Sequence, residues 1–208
     1  METYDDLNEL QLDTLREIGN IGAGNACTAL SVLLGTPVDM TIPSIQLLDY
    51  DKTAEALGGK ENTVIGIQIG ITDDLDGMMF HIIQQPFAEK IINTYYAKEI
   101  QSLHDLDEMD TSVMNEMGNI TSGVYANSIA TLTGMLVNIT APIQMCNTVG
   151  SILQIPVEYF AKLGSKVLLV DEKFMIAGTE ISSNMILTLE HESLLKLFKN
   201  LGVNSDQQ

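Results

Sequence analysis

The strongest constraint on this chain is that it repeats itself. The segment Glu17-Ile-Gly-Asn-Ile-Gly-Ala-Gly24 aligns without a gap with Glu116-Met-Gly-Asn-Ile-Thr-Ser-Gly123, at an offset of 99 residues. The register then holds through Leu33/Leu132, Gly35/Gly134, Val38/Val137, Thr41/Thr140 and Pro43/Pro142. Chance does not produce that many ungapped identities, so the chain is a duplicated unit. Each half alone is short for an independent core, and no linker-like stretch separates them. The expected organisation is one domain over residues 1–208, built of halves at about 1–104 and 105–208.

Hydrophobic periodicity fills in the unit. A long helix begins by about residue 8 and its counterpart lies 99 residues on. After each helix, residues 38–45 and 137–143 alternate as a strand. Further strands are predicted at 63–71 and 77–83, and again at 166–171 and 180–189. Each half closes in a helix, at 87–98 and 192–201, with Gly202 supplying a stop. The order helix, strand, spacer, two strands, helix, taken twice, predicts an α+β fold. In it, long helices pack on an antiparallel sheet with pseudo-two-fold symmetry.

On a wheel of about 100° per residue, Leu15, Gly19, Gly22, Ala26, Leu30 and Leu33 form one stripe, the core side of the first helix. Asp13, Glu17, Asn20, Ile21, Gly24, Thr28 and Ser31 fall on the opposite side. In the second helix Met114, Gly118, Ile129 and Leu132 take core positions. Ser112, Glu116, Asn119, Ile120, Gly123 and Asn127 take the outer face. A single surface Glu-x-x-Asn is ordinary decoration. Here it occurs twice, with an outward glycine that costs about 1 kcal/mol inside a helix. Packing gives no reason to copy a solvent-facing pattern, so function does.

Other chemistries find little support. Gly19-Asn-Ile-Gly22-Ala-Gly24 is not in the dinucleotide order and follows no strand. The two cysteines, Cys27 and Cys146, and the histidines His81, His104 and His191 are scattered, so no metal site is expected. The formal charge of −18, from 28 acidic and 10 basic residues, repels phosphate backbones and anionic lipid, which argues against nucleic acid and membrane as partners. No apolar run approaches the roughly 18 residues of a membrane span. The acidic N-terminus does not resemble a secretory signal, and a cytoplasmic location is expected.

With these residues in hand the chain resembles the CheC, CheX and FliY phosphatases of bacterial and archaeal chemotaxis. Their pattern is Asp or Ser, three residues, Glu, two residues, Asn, then twenty-two residues to Pro. Asp13, Glu17, Asn20 and Pro43 fit it, and so do Ser112, Glu116, Asn119 and Pro142. Two complete motifs are similar to the CheC type rather than to the single-motif CheX type. The flagellar-switch members carry extra parts at both ends, which are not expected here with a first helix from about residue 8 and an end at Gln208.

The resemblance implies hydrolysis of the aspartyl phosphate on the response regulator CheY. It makes Asn20 and Asn119 the residues that orient the attacking water, and Glu17 and Glu116 those that pair with the regulator's lysine. Ile21, Gly24, Ile120 and Gly123 then become contacts for the partner. No cofactor of the chain's own is implied; Mg²⁺ is expected on the CheY substrate. The receptor deamidase CheD is implied as a second partner. The competing expectation is a non-catalytic binding module of the flagellar switch, or a CheD-binding regulator.

Overall fold

A computed structural model describes residues 4–41, 43–159 and 166–203. Among them are six α-helices and eight strands in an order that repeats: α1 (Glu9–Leu34), β1 (Val38–Met40), β2 (Ser44–Asp49), α2 (Tyr50–Ala56), β3 (Thr63–Asp73), β4 (Gly77–Ile83) and α3 (Gln85–Tyr96). The second pass is α4 (Glu108–Thr133), β5 (Val137–Ile139), β6 (Ile143–Thr148), α5 (Val149–Tyr159), β7 (Lys166–Ile176), β8 (Thr179–Leu189) and α6 (His191–Asn200). Every strand pairing is antiparallel. The fold is α+β, as the repeat predicts.

The halves exchange strands. The sheet runs β1-β7-β8-β4-β3-β5, with β2 also on β7 and β6 also on β3. The short strands that follow α1 therefore pair with the second half, and those that follow α4 pair with the first. One hydrogen-bonded sheet crosses the repeat boundary.

Two expectations need correction. The run 38–45 is not one strand. Met40 pairs with Phe174 and Ser44 with Asp171, so a step of four residues on one side matches a step of three on the other. The same bulge recurs between Ile139↔Ile71 and Ile143↔Gln68. Thr140 N donates to Gly70 O and its Oγ1 accepts from Gly70 N, both at 2.9 Å. Pro43 and Pro142 sit in these bulges, where a residue without a backbone donor is tolerated. Residue 42 lies outside the described residues.

The expected spacers are also wrong, because they hold α2 and α5. Seven residues give α2 too few turns to show a period. α5 carries Val, Ile and an internal Pro156, which read against helix, yet burial of Val149, Ile152, Leu153 and Pro156 fixes it. Ile152 fills the space over Gly66, while the neighbouring Ile67 meets Gly118 of α4. Adjacent strand residues point to opposite faces, so α4 and α5 lie on opposite sides of β3. The strand expected at 166–171 runs on to Ile176, because Glu172, which reads as a polar end, is buried and bonded.

The glycine stripes do what the wheel requires. A Cβ on Gly19 would meet Ile45 Cδ1 at 2.1 Å, and one on Gly118 would meet Ile67 Cγ2 at 2.9 Å. At the last turn the wheel drifts. Leu34 is buried where Leu33 is only half-buried, and Leu132 is 40% exposed where it was expected in the core.

Candidate functional site

Both long helices are fixed at their first turn. Asn8 caps α1 and Asp107 caps α4, each in a reciprocal capping box with the residue three further on, Gln11 and Asp110. Gly35 and Gly134 end them in the left-handed conformation, where glycine has no Cβ penalty. Between these stops the two Glu-x-x-Asn motifs are held at fixed heights on rigid helix, side by side through contacts such as Asn25 Nδ2 to Ser128 Oγ at 3.1 Å.

The outer face is placed as expected. Asp13, Glu17, Ser112 and Glu116 are exposed; Asn20 and Asn119 are half-buried. Among the described residues the side chains of Glu17, Asn20, Glu116 and Asn119 take part in no hydrogen bond or ion pair. Four polar side chains with no internal partner, repeated by duplication, are free to bind something else.

At the second motif the shape is concave. Ser112, Asn115, Glu116 and Asn119 from α4, with Ala141 and Pro142 from the bulge after β5, line a shallow cavity of about 520 Å³. This explains the long spacing from Asn to Pro. The chain runs down the rest of α4, turns, and returns along β5 to set the bulge proline beside the asparagine. Asn115 was missed by the wheel; its position four residues before Asn119 places it on the same patch. The matching patch of α1 holds Asp13, Arg16, Glu17 and Asn20, with Arg16 Nη1 2.6 Å from Asp13 Oδ1.

The flanking residues behave differently from one another. A Cβ on Gly24 would meet nothing within 4 Å, and one on Gly123 only Ile139 Cδ1 at 3.7 Å. Neither glycine is needed for internal fit, unlike Gly19, Gly22 and Gly118. Ile120 is half-buried. Ile21 lines a small groove of about 310 Å³ between α1 and α4, with Val124, Ser128 and Leu132 opposite. Among the described residues no group of three or more His, Cys, Asp or Glu is placed to hold a metal ion, and no helix is long and apolar enough to cross a membrane.

A family described as the CheC-like family matches residues 10–46, which contain the first motif entire. The CheY-P phosphatase CheC of Bacillus subtilis (strain 168) is 30% identical over 208 residues, covering 98% of this chain and 100% of that protein. The flagellar motor switch phosphatase FliY of the same organism is 30% identical over 139 residues, 66% of this chain and 36% of its own length. Among solved structures, FliY from Thermotoga maritima superposes with a TM-score of 0.74 at 21% identity, covering 94% of this chain and 98% of that one; it supports the fold. With both motifs outward and the match to the first of these relatives running end to end, the chain belongs to the CheC-like family of chemotaxis phosphatases.

Proposed function

We propose that this chain is a cytoplasmic phosphatase that hydrolyses the aspartyl phosphate of the response regulator CheY, acting as one domain over its whole length. The carrying observation is the pair of outward Glu-x-x-Asn motifs, unpartnered within the fold, in a chain alignable from end to end with a CheY-P phosphatase. Phosphoryl transfer passes through a loose transition state that needs positioning and charge neutralisation more than a strong base. The regulator brings the acyl phosphate, Mg²⁺ and a lysine. What is missing is a placed water.

A carboxamide suits that task because it can both donate to and accept from one water molecule. Asn20 and Asn119 orient the water in line with phosphorus. Glu17 and Glu116, one turn earlier, accept the regulator's lysine and dock the helix against the phosphorylated site. Gly24 and Gly123 leave room for the partner's backbone, and Ile21 and Ile120 add apolar contact. CheD is a second partner on the same reading.

The test is phosphate release from phosphorylated CheY with and without this chain. A phosphatase accelerates release in proportion to its concentration. A binding module leaves the rate at the regulator's own value or slows it, and that result would remove the enzymatic reading.

A further inference from the structure

The two copies of the site differ on either side of the glutamate. On α1 the neighbours of Glu17 are Asp13 and Arg16, an ion pair at 2.6 Å whose side chains are 66% and 46% exposed. At the matching positions of α4 stand Ser112 and Asn115, both uncharged. Spacings of three and four residues put each set on one contiguous patch with its Glu and Asn. The substitutions go together. Where the patch has a base it has an additional acid, and where it lacks the base the acid is gone too. Each patch thereby keeps one net negative charge, two acids and one base against a single acid.

Stability does not explain the pair, because an exposed ion pair contributes little. A guanidinium beside Glu17 does matter if Glu17 has to accept a cation, which is the premise carried over from the proposed function. Left alone, Arg16 would repel an incoming ammonium or fold over the carboxylate. Side chains on a helix lean toward its N-terminus. Arg16 does so onto Asp13, and among the described residues it makes no ion pair with Glu17.

We propose that Asp13 is a positioning residue of the first site, acting through Arg16: it draws the guanidinium back along α1 and neutralises it, leaving Glu17 open to the regulator's lysine. The second site needs no counter-ion, since Asn115 carries no charge, and Ser112 suffices there. Between the two copies, the exchange of Asp13 for Ser112 then follows the exchange of Arg16 for Asn115.

The experiment isolates the first site in the full chain carrying Glu116→Ala and Asn119→Ala. In that background Asp13→Ser should raise KM for phosphorylated CheY about three-fold at low ionic strength, with kcat unchanged. Adding Arg16→Asn should restore the parent KM, and Asp13→Glu should hold it. The difference should vanish near 1 M salt, where the Debye length is about 3 Å. Titration with beryllofluoride-activated CheY should show the same pattern in Kd, which gives a readout independent of turnover.

Asp13→Ser raising KM equally with and without Arg16, or lowering kcat, would overturn the proposal and make Asp13 a direct participant. Unchanged KM and Kd would overturn it as well. These failures are separable from failure of the phosphatase reading, which would show as undiminished release when Asn20 and Asn119 are both replaced.

Discussion

The helices α1 and α4 repeat Glu, Asn, Ile and Gly on their outer faces and are held to the sheet by opposite means. At three matching inner positions α1 has Gly22, Ala23 and Ala26, where α4 has Thr121, Ser122 and Tyr125. In α4 all three reach the sheet. Ser122 Oγ and Thr121 Oγ1 lie 2.8 and 3.2 Å from His81 Nε2, and Tyr125 donates to Glu172 Oε1 at 2.7 Å. In α1 the same positions hold side chains that can do nothing but let a neighbour close, and Gly22 lies against the Tyr125 ring. These three inner positions have all changed since duplication, whereas the outward Glu, Asn, Ile and Gly of the motif have not. That asymmetry is the reverse of what packing alone would leave behind.

The polar anchor of α4 predicts the largest effect. Burial pushes the Glu172 carboxyl up to about 7 from an ordinary 4.5, against the opposing hydrogen bond from Tyr125. Between those two values the unfolded chain releases a proton that the folded one keeps, so stability falls as pH rises and the full cost is present above pH 7. Glu172→Gln still accepts from Tyr125 and carries no charge. Its stability relative to the parent should grow by roughly 3 kcal/mol from pH 4 to pH 8, read by thermal melts across that range. A constant difference would mean that the anchor is not a strained carboxyl.

The close approach of α1 comes next. A Cβ on Gly22 would lie 2.3 Å from Tyr125 Cδ1, and an aromatic ring cannot swing aside as the tip of an isoleucine can. Gly22→Ala should cost about 2 kcal/mol in urea denaturation. Two residues on, Gly24→Ala has open space and should gain about 1 kcal/mol from helix propensity, while lowering phosphate release by the first site. Should Gly24→Ala leave turnover untouched, that glycine is not a partner contact.

The caps give the smallest difference. Gln11 is a neutral, buried partner in the box of α1; Asp110 is a buried carboxylate in that of α4. Burial pushes the Asp110 carboxyl up, but hydrogen bonds from Lys98 and Tyr96 more than offset this and hold it below its ordinary 3.8. Its stabilisation is therefore present above that value and is lost as pH falls through the lower folded one. Asp110→Asn should cost about 1 kcal/mol at pH 7, with the deficit closing toward pH 2. Gln11→Ala should show a deficit that does not vary with pH.

How far the sequence reaches follows from what each feature depends on. The repeat, the long helices and the outward placing of Glu17, Asn20, Glu116 and Asn119 rest on local periodicity, and they stand where it puts them. The pairing of β1 and β2 with β7, and of β5 and β6 with β3, depends on contacts between halves that no local pattern encodes. The same holds for α5, where Val149 is buried and Ile152 packs over Gly66. Glu172 reads as a strand end in the absence of its partner on α4. The bulge prolines were visible as a spacing of twenty-two residues, but their meaning was not. Only the return of β5 beside α4 shows Pro142 as a wall of the second site.

The most direct test of the central claim is phosphate release from phosphorylated CheY by Asn20→Ala, Asn119→Ala and the double variant, each with a melt to verify the fold. Losing the oriented water at a site should cost that site on the order of 10²-fold in rate, equivalent to ~2.7 kcal/mol. The prediction is partial activity in each single variant and release at the regulator's own rate in the double variant, with unchanged melting. Release at the parent rate from a folded double variant would contradict the account.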